Sequence, residues 1–452
     1  MSKQVIIVGG LVSACLLCKE GYTPIVLEQH YKIGGGLHCF RRNGVVWEAG
    51  IHYVSGFEEG GTVRKIFDYL DITDSLDLMP LDANGFDVLH VGEENIVCKF
   101  GVGKENFIRI LSEQFPHEAE GIRKYVDSIY AICDRIPLFN LRPNPPGVWY
   151  LDAESLLSVS DYIDAYVRDE RVRKALAWNN SLYSGERDAP IYVHALISKF
   201  YIDGASRIVG GSQIIADKMV ELIEAHGGKV YTSTEIVKFD VTDGMVQKVI
   251  ATDGREFSGD YYISDVHPSF LMDLFEPGIF KKAYRERLQS LENSYSAFIV
   301  YATFKPKSFP FMNHNYYYYK NYDGIWDAIN YTAESFPPGF MLTTPPKNNQ
   351  DEYAEKCMIS CMMRYSDVKQ WEKTSIGKRG EDYEAFKKQI EEKLIELATE
   401  VFPNLKDCID KTFTATPLTI QDYVKSKHGG LYGYKKNSEN IIKAQIMPRT
   451  KI

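Results

Sequence analysis

Residues 5–29, VIIVGGLVSACLLCKEGYTPIVLEQ, carry the reading of the fold. Val5 to Val8 are four consecutive apolar residues, as a parallel strand buried on both faces requires, and Gly9 and Gly10 stand at its carboxyl end. Leu11 to Glu20 places apolar residues on a helical period, Gly21 ends that helix, and Pro24 to Leu27 forms a second buried strand closing on Glu28. Strand, helix, strand and acid make the βαβ unit that holds a dinucleotide. In such a unit glycines let backbone N–H groups approach the pyrophosphate, the helix amino terminus faces the phosphates, and the acid binds a ribose hydroxyl. One part is short. A full fingerprint carries about four further residues, rich in glycine, between Gly10 and Leu11. Either the loop is truly short, or residues of the native loop are missing from this sequence; we favour the second, because a glycine-rich loop is costly to order without a ligand.

Working outward, YKIGGGLHCFRRNGVVWEAGIHYVSG (31–56) follows the acid. The Gly34–Gly36 run permits a second close backbone approach to a ligand, and the alternation through Val45, Trp47 and Ile51 predicts strands on either side of a turn. Two helices split by Pro116 are predicted between residues 101 and 136. The proline-rich LRPNPPGVWYLD (141–152) is a connector or an apolar lip over a cleft. At Gly210 a second sheet-forming block begins. A helix with Ile215, Met219, Leu222 and Ile223 on one face ends at Gly227-Gly228, and strands follow with turns at Asp243-Gly244 and Asp253-Gly254. Alternation in Tyr316–Tyr319 puts two tyrosines on each face of a strand, and Phe386, Ile390, Leu394, Leu397 and Val401 mark one side of an outer helix.

With 452 residues, 44% apolar and 25% charged, the chain is long enough for two or three domains. A net charge of -9 leaves no basic footprint, so nucleic acid is excluded as an expected partner. No apolar run reaches membrane-spanning length, and the amino terminus enters the first strand too quickly for a signal peptide. The expectation is a cytoplasmic protein, or one resting on a membrane surface. Cys15 and Cys18 are spaced CxxC but lie inside an apolar helix, and Cys357 and Cys361 fall in a buried strand. The eight cysteines therefore read as reduced core residues, and no cluster has metal-ligand spacing.

Taken in order, LEQHYKIGGGLHCF, GIHYVSG, VHALI with Tyr201 and Gly204, GGSQ, and TPLTIQDYVKSKHGGLYGY resemble the retinol saturase and phytoene desaturase flavoproteins across nearly the whole chain. The resemblance implies an α/β protein, a glutathione-reductase-type FAD-binding Rossmann domain built from separated segments with an inserted α+β substrate domain. The expected boundaries are 1–70, 205–275 and 410–452 for the FAD domain, and 71–204 with 276–409 for the substrate domain. It matches Gly9 and Gly10 to the start of the phosphate loop, Glu28 to the ribose acid, Gly34 and Gly35 to the second glycine loop, and Ile236 to the residue whose backbone meets the adenine. The sequence reaches PRTKI before the strand, glycine turn and helix with which that family closes its flavin site.

The implied function is saturation or desaturation of a carbon–carbon bond in a lipophilic polyene or isoprenoid. The flavin supplies the hydride chemistry and the protein supplies a long apolar, aromatic tunnel. Redox-neutral cis–trans isomerisation on reduced flavin is the nearest alternative, and a prenyl-binding carrier of the same fold is the non-enzymatic one. NAD(P)H is a candidate reductant, although no second complete dinucleotide fingerprint is present. No side chain stands out as a general acid or base. The catalytic candidates are His52 and Tyr53, which the resemblance places near the flavin, and His194, near the substrate-domain boundary.

Overall fold

A computed structural model describes residues 2–143, 152–321 and 323–445. The central unit is a four-stranded parallel sheet of β1 (Gln4–Val8), β2 (Thr23–Leu27), β3 (Lys229–Tyr231) and β4 (Tyr261–Ser264), in the order β4-β1-β2-β3. Helix α1 (Leu11–Lys19) crosses from β1 to β2, and α2 (Gln213–Ala225) leads into β3. The apolar run of β1 is buried because its two faces meet different layers. Val5 and Ile7 pack with Ala14, Cys15 and Cys18 of α1 and with Ile215, Met219 and Ile223 of α2. Ile6 and Val8 pack against Ile236, Phe239, Val249 and Ala251 of an antiparallel meander, residues 236–257. The meander turns at Asp243-Gly244 and beside Gly254, as the turn residues predict.

A seven-stranded mixed sheet forms the other half of the molecule, in the spatial order 409–415, 296–304, 356–363, 339–343, 315–319, 87–91 and 96–100. The tyrosine strand Asn315–Tyr319 alternates as expected. Tyr317 and Tyr319 face a core shared with the helices Lys104–Gln114, Ala119–Asp134 and Ile191–Asp203. Tyr316 and Tyr318 face a second core against the long helix Glu381–Val401. That helix buries Ile390, Leu394 and Leu397, and Leu394 is wholly inaccessible. Leu394→Ala is expected to lower stability by about 2–5 kcal/mol through lost burial and the cavity left behind. A urea-unfolding midpoint unchanged from the parent would refute this packing.

The hairpin Cys39–Arg42/Val45–Glu48 joins the two halves. Trp47 is fully buried and packs with Ala297, Ile299, Tyr301, Met358 and Ala415 of the large sheet. The strand Ile409–Ala415 hydrogen-bonds to Ser296–Phe304, so this piece of the expected FAD segment 410–452 is an edge of the large sheet instead. Its alternating pattern suits either sheet; pairing with a distant strand decides it. All eight cysteines are free and buried. Val148, Trp149 and Tyr150, in the segment read as a connector or a lip, and the PRTKI segment lie outside the described residues.

Candidate active site

The chain passes directly from Gly10 into Leu11, so the turn built here is the short one. Gly9 and Gly10 have φ of 81° and 67°, a backbone that side-chain-bearing residues rarely adopt. The Gly9 N–H donates to the Leu27 carbonyl at 3.1 Å, and the Gly10 carbonyl accepts from Ala14 at 3.1 Å. No side chain caps α1, and Gly10, Leu11, Val12 and Ser13 at its amino terminus face a cavity of about 1140 Å³. This end of the helix carries the unpaired N–H groups and positive dipole that suit a phosphate.

The same cavity is lined by Glu28, Gly34, Gly35, Gly36 and Ile236, so the residues assigned from sequence to the dinucleotide stand around one space. Glu28 ends β2. Its carboxylate accepts the His30 N–H at 2.8 Å, and burial pushes the carboxyl up while that hydrogen bond holds it back. The Thr234 N–H donates to the Glu28 carbonyl at 2.8 Å, which places the start of the meander, and Ile236, along the cleft. A Cβ on Gly34 would lie 3.0 Å from Ala216 Cβ, whereas a Cβ on Gly35 or Gly36 would meet nothing within 4 Å. These two glycines form an open cradle. The structure also brings Asp265 and His267, just after β4, to this wall, with Asp265 Cβ 3.1 Å from where a Gly9 Cβ would stand. Sequence reasoning passed over the pair, although SDVHP at a strand's carboxyl end was a signal for them.

A second cavity, of about 510 Å³ and mainly apolar, lies between the loop from Ala49 to Phe57 and the inner face of the large sheet. It adjoins the first: Val12, Gly36, Leu37, Met219, Val424, Gly430 and Leu431 line both. His52 and Tyr53 line it together with Tyr201, Tyr317, Tyr319 and Tyr432. His52 Nδ1 stands 3.8 Å from Glu48 Oε2, and neither atom has a hydrogen-bond partner among the described residues. His194 is placed elsewhere. It is fully buried in the helix Ile191–Asp203, lines neither cavity, and meets the Tyr183 hydroxyl at 3.0 Å. Burial lowers its pKa to about 3. Among the described residues no group of His, Cys, Asp and Glu could hold a metal ion, and no helix is long and apolar enough to cross a membrane.

A cleft with the parts of a dinucleotide site, opening sideways into an aromatic, apolar chamber, is the arrangement expected of a dinucleotide-dependent oxidoreductase. The chain belongs to the flavin containing amine oxidoreductase family, whose profile matches residues 8–352. It is 27% identical to the all-trans-retinol 13,14-reductase of Homo sapiens, over 94% of this chain and 75% of that protein. It is 23% identical to a chloroplastic prolycopene isomerase of an Oncidium hybrid cultivar, over 94% and 73%. In fold it is similar to a putrescine oxidase solved with putrescine, with a TM-score of 0.63 at 13% identity, covering 100% of this chain and 92% of that one.

Proposed function

We propose that the protein is an FAD-dependent oxidoreductase that adds hydrogen across, or removes it from, a carbon–carbon bond of a lipophilic polyene, with all-trans-retinol as the first substrate to try. The observation that carries this reading is the shared wall of the two cavities. A ring system seated at Gly36 and Leu37 reaches the apolar chamber without leaving the nucleotide cleft. The fit is chemical as well as spatial: an acid at the end of β2, uncapped helix N–H groups, and two glycines beside empty space are the donor set of an adenine dinucleotide. Gly9 and Gly10 would face the pyrophosphate, Glu28 the ribose, Gly34 and Gly35 the second backbone approach, and Ile236 the adenine. When bound, the flavin supplies hydride transfer. The chain's own part is to hold the polyene flat against the chamber wall, exclude water, and handle the accompanying proton.

The test is anaerobic incubation of photoreduced, FAD-loaded protein with all-trans-retinol. A product two mass units heavier supports saturation, an isomer of unchanged mass supports the isomerase reading, and unaltered retinol with FAD bound refutes both. Mixing with NADH or NADPH in the absence of oxygen, and following flavin bleaching, decides the electron donor. A polyene partitions into lipid, so peripheral contact with a membrane accords with this reading; vesicle flotation measures it. Glu28→Gln is expected to weaken FAD binding about ten- to a hundredfold, the range for a hydrogen bond to a charged group. Quenching of flavin fluorescence reads this directly, and unchanged affinity would remove Glu28 from the site.

A further inference from the structure

Saturation of a double bond requires a proton as well as a hydride, and the chamber that would hold the polyene is largely apolar. Two of its hydroxyls stand apart. Tyr53 and Tyr317 are 7% and 2% exposed, both line the chamber, and their Oη atoms are 3.0 Å apart. Each phenol can donate one hydrogen. One O–H is spent along the shared contact, and the other has no acceptor among the described residues. The nearby Ser55 hydroxyl is already committed to the carbonyls of Phe200 and Gly204.

Behind the pair lies a buried charge arrangement that packing alone does not require. Asp87, wholly buried, accepts the Trp178 indole N–H at 3.0 Å and an Asn315 amide N–H at 2.8 Å. The Asn315 carbonyl oxygen in turn accepts from Arg207 Nη2 at 3.1 Å, and the same nitrogen donates to the His314 carbonyl at 3.0 Å. Arg207 is 1% exposed, and its Nε and Nη1 have no hydrogen-bond partner among the described residues. An underpaired guanidinium inside a protein is costly, and its field favours negative charge nearby. Asn315 and Tyr317 stand two apart in one strand and share its face, which sets Arg207 beside the pair; burial, and next the Asp87 charge, push both phenols up, and the guanidinium is the group here that opposes this.

We propose that the Tyr53–Tyr317 hydroxyl pair is the proton donor to the polyene, with Arg207 as the positioning residue that stabilises the phenolate left behind. The proposal rests on the reading of function above. In the step, the O–H bond of one phenol breaks and a C–H bond forms at one carbon of the double bond. The second carbon would take the hydride that reduced flavin supplies when bound, and the two electrons of that hydride balance the reduction. The other phenol donates its hydrogen bond to the new phenolate, which is later reprotonated from solvent when the chamber opens. In the direction of desaturation the pair takes the proton up only after one phenol has given its own to solvent.

The experiment uses full-length, FAD-loaded protein in single turnover with all-trans-retinol in deuterated water. The parent is expected to place solvent deuterium at both carbons of the reduced bond, one from the phenol pair and one from the hydride position of reduced flavin, which itself exchanges with solvent. Tyr53→Phe/Tyr317→Phe, which keeps both rings, is expected to turn over at least about a hundredfold more slowly with retinol and FAD affinities within threefold of the parent. A double variant within threefold of the parent rate, or a product without deuterium at the protonated carbon, overturns the donor role. A second measurement needs neither flavin nor turnover. Trifluorotyrosine placed at position 317 is titrated by fluorine NMR, and Arg207→Met is expected to raise its midpoint by at least one pH unit; an unchanged midpoint overturns the role of Arg207. A parent that binds FAD and retinol but converts none overturns the functional reading and the donor role together, while the fluorine titration still decides the coupling of pair and guanidinium.

Discussion

Gly36→Val is expected to weaken FAD binding by about a hundredfold or more while leaving the protein folded. At this position φ lies outside the left-handed region, so a branched side chain meets no backbone strain, and a Cβ would find no neighbour within 4 Å. In the empty protein the substitution costs little. The space it fills is the junction of the two cavities, the place assigned to the flavin. Two methyl groups there would overlap a bound ring, since Gly36 lies on the wall common to both cavities. A loss of about 3 kcal/mol of binding energy corresponds to the stated factor. Gly34→Val is the contrasting case: its φ of 111° and the 3.0 Å approach of Ala216 Cβ make it a folding defect as well. Thermal melting of both variants without flavin, followed by flavin titration, separates the two effects. Tight binding by Gly36→Val would place the flavin elsewhere.

The second large effect concerns pH. His194 is buried, and its imidazole is held neutral, with a pKa lowered from the ordinary 6.5 to about 3. The unfolded chain therefore binds this proton at a higher pH than the native state does. Stability from this residue is complete above about pH 6.5 and is lost progressively as the pH falls toward 3. The interval amounts to roughly 4–5 kcal/mol. His194→Gln, which stays neutral, is expected to lack that acid limb, so that its urea midpoint falls much less than the parent's between pH 6.5 and pH 4. Its flavin affinity and its flavin half-reactions are expected to match the parent's, because position 194 lines neither cavity. Parallel acid denaturation of parent and variant would remove His194 as the titrating group. A selective loss of flavin reactivity would restore it as a catalytic candidate.

Much of the nucleotide unit was legible because its information is local. Val5–Val8, the glycine pair, the helical period through Cys18 and the acid at Glu28 lie within one stretch of about 25 residues, and each is demanded by backbone geometry at that point. The same holds for the tyrosine alternation at 316–319 and the one-sided helix at 381–401, where a period of two or of 3.6 residues identifies the buried face. The polar chemistry of the chamber was not legible in this way. Arg207 and Asp87 are ordinary charged residues in sequence, 120 positions apart, and only the pairing of Asn315 with Asp87 in adjacent strands brings them to one amide. His194 and Tyr53, equally prominent as candidates, differ in that packing turns Tyr53 to the chamber wall and buries His194 away from both cavities.

The sequence by itself determined that a βαβ unit of the dinucleotide-binding kind exists and where its acid and glycines stand, because these follow from short-range periodicity and backbone conformation; the second body was implied by the family resemblance. The tertiary structure decided what those pieces enclose. It assigned the strand 409–415 to the large sheet, set two cavities against a common wall at Gly36 and Leu37, and placed a buried guanidinium behind two phenols. The reason is physical: strand pairing and burial of charge depend on partners hundreds of residues away, and their free energy appears only once the chain has closed on itself.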